Sequence, residues 1–571
     1  MSSAMKAAPH SELVLAGKAD NCADGRIPIT VGVVCHLVEV HQFDDLVVAV
    51  RQHIEHLVQQ FPHSPIRLLL TPDSSVNLRL MQAMGRTSLE LSVKLWDLVL
   101  VLPDTLSLPT DWKDECGTKP VVRVADDAQA VDYMVCHSNL MLAIYENTVD
   151  TAHAHTQRAV HSRTLRPEAH PLGRIARHAG PLVTLMMAGE SKEGGLWSRK
   201  PSLDGQRGVF HLDAARRLED LDHYNRELSN SGLAQVSVDA AAREICNDNS
   251  KRKPAETEEE LTRAANAQAL SSHADVLERR LLAAFQAADS LAIKLQDIFN
   301  RTLLHLYWLG ALINVALWTA IEGLFRWPMA AIYVLAFGAV WWLLRRLRSE
   351  PLSGLRLLSR LLAEALRIDL VWAIANRDPG QRQIGLVVDQ LLEQHLDEVG
   401  WVRDALRVAG MAPSAFGELS AVQRQEIVRS WIDSQLAYSR KRRTTKHALE
   451  KRYATATWMF YMAGIACAAG TLTLDELGMS DLMVRHLVAI AAAVFPGMAL
   501  LFQGYIDKLT IDEEIKSARR MEDVFARAAS ASALRDGLVS TDLLLQLGTE
   551  AINESTFWLL AKRSRPVANP V

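Results

Sequence analysis

The sequence predicts an α/β domain followed by an all-α region with four transmembrane helices in two hairpins. Two observations carry this prediction. Short apolar strands alternate with amphipathic helices over the first third of the chain, and four long runs without a charged residue lie in its second half. Such alternation is typical of a parallel sheet with helices on both faces, and a charge-free run of about 20 residues is long enough to cross a bilayer.

The overall composition is that of an ordinary soluble protein and hides the membrane segments. The 571 residues are 49% hydrophobic with a net charge of −4, which gives no indication of nucleic-acid binding, and no nucleic acid is expected as a partner. The six cysteines form no Cys-x-x-Cys pair, so neither a zinc site nor a disulfide framework is predicted. We therefore expect no metal and no cofactor.

The chain opens with a polar segment, Met1–Arg26, which we expect to be a disordered tail. It lacks the apolar core of a signal peptide, so the first membrane span would also direct the chain to the membrane.

The α/β domain is predicted from short apolar runs rich in β-branched residues, separated by helical patterns. The expected strands are Ile27–Cys35, Ile66–Leu70, Leu95–Leu102, Pro120–Val124, Leu140–Tyr145 and Pro181–Met187. The expected helices are Asp44–Phe61, Val76–Met84 and Ala128–Ser138. Ligands of such sheets bind at the carboxyl ends of the strands, which selects the segments 35–41, 71–77, 103–108 and 146–157.

Three of these strand ends resemble the SLOG family of Rossmann-like nucleotide-sensing domains. The stretch Gly32–Leu37 is similar to the family's Gly-Val-Thr-Gly-His-Arg opening and keeps its first glycine and its histidine. The stretch Thr71–Arg79 keeps the proline and the final arginine of the loop Ser-Pro-Leu-Ala-Glu-Gly-Ala-Asp-Arg, and Ala143–Asn147 stands where the family has Ala-Leu-Trp-Asp-Gly.

This resemblance implies a Rossmann-like fold and a nucleotide-derived ligand. The residues that would hold the ligand are Gly32, His36, Thr71, Arg79 and Glu146. Glycines of the family pattern are replaced at three places, and glycine is what lets a backbone approach a phosphate closely. The scaffold is therefore expected to be present and the site to be altered or lost. Gly32 as a packing residue at a tight strand end, and His36 as an ordinary loop histidine, remain as alternatives.

No enzyme is expected. The related phosphoribohydrolases use a Pro-Gly-Gly-x-Gly-Thr-x-x-Glu loop, and the nearest region here, Asn147–His155, contains no glycine. Asp150, His153, His155 and His161 match no metal-ligand spacing and are interpreted as a solvated loop. The chain also lacks a Gly-Lys-Ser/Thr phosphate loop and a Gly-x-Ser-x-Gly elbow.

The connection to the membrane is predicted to begin with a linker, Gly189–Gly208, and a charged helix, Asp213–Leu228. The segment Asp220–Arg226 of that helix resembles the connector that follows the sensing domain in the same family. Ser229–Arg263 is polar and acidic and is expected to be flexible, whereas Ala264–Arg301 has the spacing of a long helix that leads straight into the first span.

The spans form two hairpins with short outer turns; pairs of buried helices in a soluble core are the alternative. The charge-free runs are Thr302–Ile321, Trp327–Leu344, Tyr453–Leu474 and Leu487–Ile506. Basic residues flank the open ends of both hairpins, notably Arg345, Arg346, Arg348 and Arg440–Arg443. By the positive-inside rule the chain is a multi-pass protein of the cell inner (plasma) membrane with both termini cytoplasmic.

Two residues of the spans are predicted to face the interior of the bundle or a pore. Asn314 lies near the middle of the first span, where an amide facing lipid would lack partners. It would either hold two helices together or line a water-filled path in an oligomer. Pro496 should kink the fourth span.

The helices outside the spans resemble the SLATT family, two-transmembrane effectors associated with SLOG sensors. The stretch Leu355–Trp372 is similar to the Ala-Glu-x-Leu-Arg helix that follows the family's hairpin. The likeness continues at Trp401–Arg403, Trp431–Tyr438, Ala518–Arg527 and Gly548–Trp558.

Together the two resemblances imply a bacterial membrane effector, in which a nucleotide-sensing domain controls a four-helix module that permeabilises the membrane in conflict or antiphage defence. The lipid bilayer, a nucleotide-derived ligand and further copies of the chain are the expected partners. A membrane-anchored scaffold with a vestigial sensor is the alternative, and a nucleotide-processing enzyme is less favoured.

The expected divisions are a tail (1–26), a SLOG-like domain (27–190), a linker with connector helix (191–263), the first hairpin with its lead-in helix (264–348), amphipathic helices (349–452), the second hairpin (453–507) and C-terminal helices (508–571).

Overall fold

A computed structural model describes most of the chain, and all structural statements refer to these residues. They are 22–36, 43–71, 79–80, 95–104, 120–146, 158, 182–187, 198–201, 208–246, 258–323, 325–349, 352–375, 399–410, 419–476, 482–534 and 538–563.

The strands reproduce the predicted α/β domain, with each predicted strand found within two residues of its expected bounds. In chain order they are β1 (Cys22–Asp24), β2 (Ile29–His36), β3 (Ile66–Leu70), β4 (Leu95–Pro103), β5 (Val121–Val124), β6 (Leu140–Glu146), β7 (Leu182–Met187), β8 (Ser198–Pro201) and β9 (Gln235–Ser237). The main sheet has the order β5-β4-β3-β2-β6-β7-β8, in which every pair is parallel except β7 with β8.

The helices follow the predicted order as well. In chain order they are α1 (Phe43–Gln60), α2 (Asp127–His137), α3 (Gly208–Asn230), α4 (Val238–Ile245), α5 (Glu258–His273), α6 (Val276–Ile321), α7 (Arg326–Ser349), α8 (Leu352–Ala375), α9 (Gly400–Ala409), α10 (Ala421–Glu476), α11 (Leu482–Leu509), α12 (Ile511–Ala533) and α13 (Thr541–Arg563). Of the expected helix Val76–Met84, only Arg79 and Leu80 are described, and both are helical.

Helices cover both faces of the sheet, as predicted. Successive residues of a strand point to opposite faces. On one face Val31 and Val33 of β2 belong to the same buried cluster as Val50 of α1. On the other face Val34 belongs to a cluster with Met134 of α2. Burial on both faces explains why these strands are nearly continuous apolar runs.

Three segments expected to lack regular structure contain some. Cys22–Asp24, assigned to a disordered tail, forms β1 and pairs antiparallel with β9. The region Ser229–Arg263, expected to be flexible, holds β9, α4 and the beginning of α5. Within the expected linker Gly189–Gly208, β8 pairs with β7. For β1 and β9 the reason is that the pairing of strands far apart in the chain leaves no mark on local composition.

Helix α6 is the longest connection between the sheet and the membrane segments. Its first turn is closed by a capping box in which Asp275 Oδ1 accepts from the Glu278 amide and Glu278 Oε2 accepts from the Asp275 amide, both at 2.8 Å. This cap separates α5 from α6, so the expected helix Ala264–Arg301 is divided. From the cap, α6 continues for 46 residues, a length of about 69 Å.

Four helices, α6, α7, α10 and α11, contain segments long and apolar enough to cross a membrane. Helix α7 packs on α6, α10 packs on α11, and α11 packs on α6, so the two predicted hairpins meet through α6 and α11. Large apolar side chains point away from the bundle: Leu335 is 73% exposed and Ile465 is 61% exposed. These exposed faces are the surface that lipid would cover.

The remaining helices extend the core on one face of the sheet toward the spans. Trp372 of α8, Trp431 of α10 and Phe525 of α12 are buried there, and the Trp372 indole N–H donates to the carbonyl of Leu544 at 2.9 Å. A Cβ added to Gly548 of α13 would come closer than 3.0 Å to the Trp372 ring, so this helix pair requires a residue without a side chain.

Candidate functional site

The carboxyl edge of the sheet brings three of the predicted ligand residues to one side of the domain. His36 is the last residue of β2, Glu146 is the last residue of β6, and Thr71 directly follows β3. His36 is paired with Tyr145, the neighbour of Glu146, so the ends of β2 and β6 lie side by side. Arg79 is exposed in its short helical stretch.

The loops that would complete this edge lie outside the described residues. They are 37–42, 72–78, 105–119 and 147–157, and the last of them holds Asp150, His153 and His155, while His161 lies just beyond it. Among the residues that are described, no group of three or more His, Cys, Asp or Glu side chains could hold a metal ion.

Thr71 is used by the fold itself. Its side chain is 4% exposed, and its hydroxyl donates to the sulfur of Met134 in α2 at 3.2 Å. The hydroxyl therefore points between β3 and α2 rather than toward the strand-end edge.

Gly32 lies in the middle of β2, four positions before the strand end. It pairs with Leu69 on one side and Met141 on the other. A Cβ at this position would come closer than 3.0 Å to the sulfur of Met141 and to the hydroxyl of Ser138. A side chain at position 32 would therefore clash with its neighbours, which supports a packing role for Gly32.

We expect Gly32→Val to lower the free energy of unfolding by about 1–3 kcal/mol, because the new side chain overpacks the contact with Met141 and Ser138. His36→Ala, at the strand end, should change thermal stability little but should weaken the binding of a phosphate-bearing ligand. Thermal unfolding of the purified full-length variants measures both effects. A Gly32→Val protein as stable as the wild type would contradict the packing role.

The opposite, amino edge of the sheet is fastened to the helical region through α3. Asn225 is fully buried; its side-chain oxygen accepts from the Ile27 amide at 3.0 Å, and its side-chain amide donates to the Ile27 carbonyl at 2.8 Å and to the Ser64 hydroxyl at 3.0 Å. One turn earlier, Asp222 accepts from the amide of His63 and the hydroxyl of Ser64, both at 2.9 Å. One helix therefore holds the starts of two neighbouring strands.

Helices α6 and α9 complete this attachment. Gly25 lies so close to α6 that a Cβ there would come within 3.0 Å of both Ala283 and Ala287. On the α9 side, the guanidinium of Arg67 in β3 donates to the Val408 carbonyl at 3.3 Å. Burial lowers the pKa of Arg67 to about 9. The segment that joins β1 to β2 is thus in direct contact with the helix that continues into the first span.

A junction of small residues joins the two hairpins inside the bundle. The Asn314 side-chain amide donates to the carbonyl of Val494 in α11 at 3.0 Å. Gly497 makes room for Asn314, since a Cβ there would come closer than 3.0 Å to the Asn314 amide, and Gly464 of α10 makes room in the same way for the ring of Pro496. Asn314 and Pro496, the two predicted interior residues, therefore lie in adjacent layers of one three-helix contact.

The far ends of the hairpins are linked by a contact between a histidine and a glutamate. His486 of α11 lies with Nδ1 2.8 Å from Glu322 Oε2, at the end of α6. The sequence gives no signal for this pair, because the two residues are far apart in the chain.

A charged cluster lies where α4, α6 and α8 meet. Arg367 is surrounded by Glu364 at 2.9 Å, Glu244 at 3.5 Å and Asp289 at 3.6 Å. Burial alone would lower the pKa of Arg367, but these three carboxylates outweigh it and the pKa is raised. Burial and the neighbouring Asp289 raise the pKa of Glu244 to about 7.

This cluster gives a pH-dependent stability. The pKa of Glu244 is higher in the folded chain, so the folded state keeps its proton between about pH 4.5 and 7 while the unfolded state releases it. The stability from that proton is fully present below this window and lost as the pH rises through it. We therefore expect Glu244→Gln to gain thermal stability relative to the wild type as the pH rises through this window. The gain should be modest because 33% of the side chain is exposed; a difference in Tm that stays constant with pH would contradict the assignment.

Comparison with known proteins adds no relative from which a role could be transferred. No protein-family model, no curated protein and no solved structure matches this chain.

Proposed function

We propose that the chain is a bacterial membrane effector, in which a SLOG-like domain senses a nucleotide-derived ligand and controls a SLATT-like module of four transmembrane helices. In this proposal the ligand binds at the strand ends around His36 and Glu146, and the helices permeabilise the plasma membrane in conflict or antiphage defence. The chain acts as a homo-oligomer and performs no chemistry on the ligand. Both termini and the helices between the hairpins face the cytoplasm.

The observation that carries the proposal is the continuity of α6. The N-terminal domain contacts this helix through β1 and through Gly25, which lies between β1 and β2 and packs against Ala283 and Ala287, and the same helix continues through the first apolar run. A ligand can shift the helix arrangement only if it binds two arrangements with different affinity. Because the domain contacts the helix that forms the first span, ligand binding to the domain can favour one arrangement of the spans over another.

The test is a leak assay on the full-length protein. Purified protein in vesicles loaded with a fluorescent dye should release the dye when the right nucleotide is added. The full chain is needed because α3, which follows the last strand of the main sheet, holds the starts of β2 and β3. If no nucleotide in a broad panel binds by calorimetry and overproduction causes neither leak nor growth arrest, the effector proposal fails.

A membrane-anchored scaffold with a vestigial sensor is the second candidate. It is favoured by the use of Gly32 and Thr71 for packing, which takes two of the expected ligand residues away from the strand-end edge. The scaffold predicts normal membrane insertion and assembly with no ligand-dependent leak.

The proposed orientation has its own measurement. A cysteine introduced at Glu322 should react with a membrane-impermeant thiol reagent in intact cells, whereas a cysteine in place of the exposed Arg440 should react only after the cells are opened. Labelling of the second position from outside would overturn the orientation.

A further inference from the structure

A cavity of about 460 Å³ lies between the helices that lead into the spans. It is enclosed by α4, α6, α8, α10, α12 and α13, and it is separate from the strand-end edge of the sheet. Asp297, five residues before the first apolar run, lies at one side, and Arg442, eleven residues before the third run, lies at another. Its volume is in the range of small-molecule sites, about 300–1,000 Å³.

Two of the four arginines that line this cavity are paired with carboxylates of the protein. Arg367 is held by the three carboxylates of the charged cluster. Arg442 lies 3.8 Å from Glu514, which also pairs with Lys446 at 2.8 Å. These pairs leave the other two arginines, both on α8.

Arg356 is 5% exposed and has no ion pair in the described part of the chain. Its Nη1 donates to Gln296 at 2.6 Å, and its guanidinium lies 3.9 Å from the centre of the Phe299 ring. Its Nε–H has no hydrogen-bond partner among the described residues. Leaving a buried charged donor unsatisfied is costly, so a partner from outside the chain would stabilise this position.

Arg360 lies one helical turn further along α8; no described carboxylate is within ion-pair distance of it, and Asp289 and Glu554 attract it from further away. Its guanidinium packs on the Trp558 ring, 4.5 Å from the centre. Burial is the larger cause and repulsion from Arg360 the smaller one that together lower the pKa of Arg356 to about 10. Two adjacent guanidinium groups that repel each other match an anion with two negative charges.

We infer that this cavity is a binding site for a phosphate-bearing polar molecule, whose phosphate is held by Arg356 and Arg360. A guanidinium presents paired N–H donors that fit phosphate oxygens, and a phosphate monoester carries nearly two charges at neutral pH. Ser434, Gln435 and Glu554 also line the cavity and offer acceptors to hydroxyl or amino groups on the rest of the molecule. The phosphate can come from a lipid headgroup or from a soluble metabolite.

Occupancy of this site would affect the spans directly. The two arginines lie on α8, which contacts α6 through the Arg356–Gln296 bond and α13 through Trp558. An anion that bridges both arginines cancels their repulsion and fixes α8 against α6. This role is separate from the sensing of a nucleotide at the sheet.

The first test uses inorganic phosphate as the probe and full-length protein in a neutral detergent. Thermal unfolding is followed while potassium phosphate replaces potassium chloride at constant ionic strength and constant pH, because a ligand that binds only the folded state raises the Tm with its concentration. Arg360→Gln and Arg356→Gln should raise the half-saturating phosphate concentration about tenfold or more. Arg440→Gln is the matched control, since Arg440 is exposed on α10, pairs with Glu522 and does not line the cavity.

Arg360→Lys keeps the positive charge and should retain partial binding even if the neutral variants fold poorly. Equal stabilisation by phosphate and chloride would overturn the site. So would phosphate binding by the Arg360→Gln variant with the affinity of the wild type.

The second test separates the two sources of phosphate. Protein is reconstituted in phosphatidylcholine alone or in phosphatidylcholine with phosphatidic acid, and native mass spectrometry counts the lipids that remain bound. Retention of phosphatidic acid that depends on Arg356 and Arg360 supports a lipid headgroup, whereas saturable binding of free phosphate without lipid retention supports a soluble ligand. The absence of both overturns the inference.

Discussion

Replacing Asn225 by leucine is expected to destabilise the chain more than any other single polar substitution proposed here. Leucine has the same number of side-chain heavy atoms and the same branching but cannot replace the bonds to the Ile27 amide, the Ile27 carbonyl and the Ser64 hydroxyl. Each buried group left without a partner costs about 1–3 kcal/mol, so we expect a loss of about 3 kcal/mol or more in the free energy of unfolding.

The matched control is Asn230→Leu. Asn230 is the last residue of the same helix and is exposed, so the same chemical change should leave stability nearly unchanged. Chemical unfolding gives the free energies, and hydrogen exchange at the amides of β2 and β3 shows whether the strand starts open first. If both variants unfold at the same denaturant concentration, the buried amide does not hold the sheet to the helices.

Replacing Gly497 by leucine is expected to separate the two hairpins. The new side chain would occupy the position of the Asn314 amide, break its 3.0 Å bond to the Val494 carbonyl and force α6 away from α11. Overpacking of this kind costs about 1–3 kcal/mol, and here it acts on the contact that joins the hairpins. We expect a lower Tm and a changed elution volume in detergent.

Gly338→Leu in α7 is the matched control, because no atom lies within 4 Å of a Cβ built at that glycine. Asn314→Leu completes the comparison, since it removes the bond, worth about 1 kcal/mol, while keeping the branching of the side chain. A structural role for Asn314 predicts altered assembly, whereas a role in a water-filled path predicts normal assembly with a reduced leak. Equal effects of the leucine at Gly497 and at Gly338 would show that the junction does not hold the hairpins.

Local sequence patterns were sufficient for strands β2 to β7 and for the four spans. Apolar runs such as Ile66–Leu70 and charge-free runs such as Thr302–Ile321 need no tertiary information, because burial and bilayer thickness set their length and polarity. Asn314 was also identified from sequence, since an amide in an apolar span needs a partner.

Features that depend on distant partners were not predictable. Strand β1 is polar and only exists through its pairing with β9, more than 200 residues away. Asn225 lies in the connector segment Asp220–Arg226, but nothing in that segment indicates that its side chain contacts Ile27. Arg356, Arg360 and Arg367 have the spacing of one helix face, and this signal on an otherwise apolar helix could have indicated the cavity.

Helix α6 begins beside the N-terminal domain and ends at the contact between Glu322 and His486, so a small rotation at its beginning produces a large displacement at its end. Within its 46 residues there is no proline, so a rotation imposed near Ala283 is not absorbed along the way. A tilt of only about 5° about the sheet end would carry the far end through an arc of about 6 Å, the rise of roughly one helical turn. Displacements too small to detect beside the sheet could thus be large on the opposite side of a bilayer, where the Glu322–His486 contact must then yield or move with them.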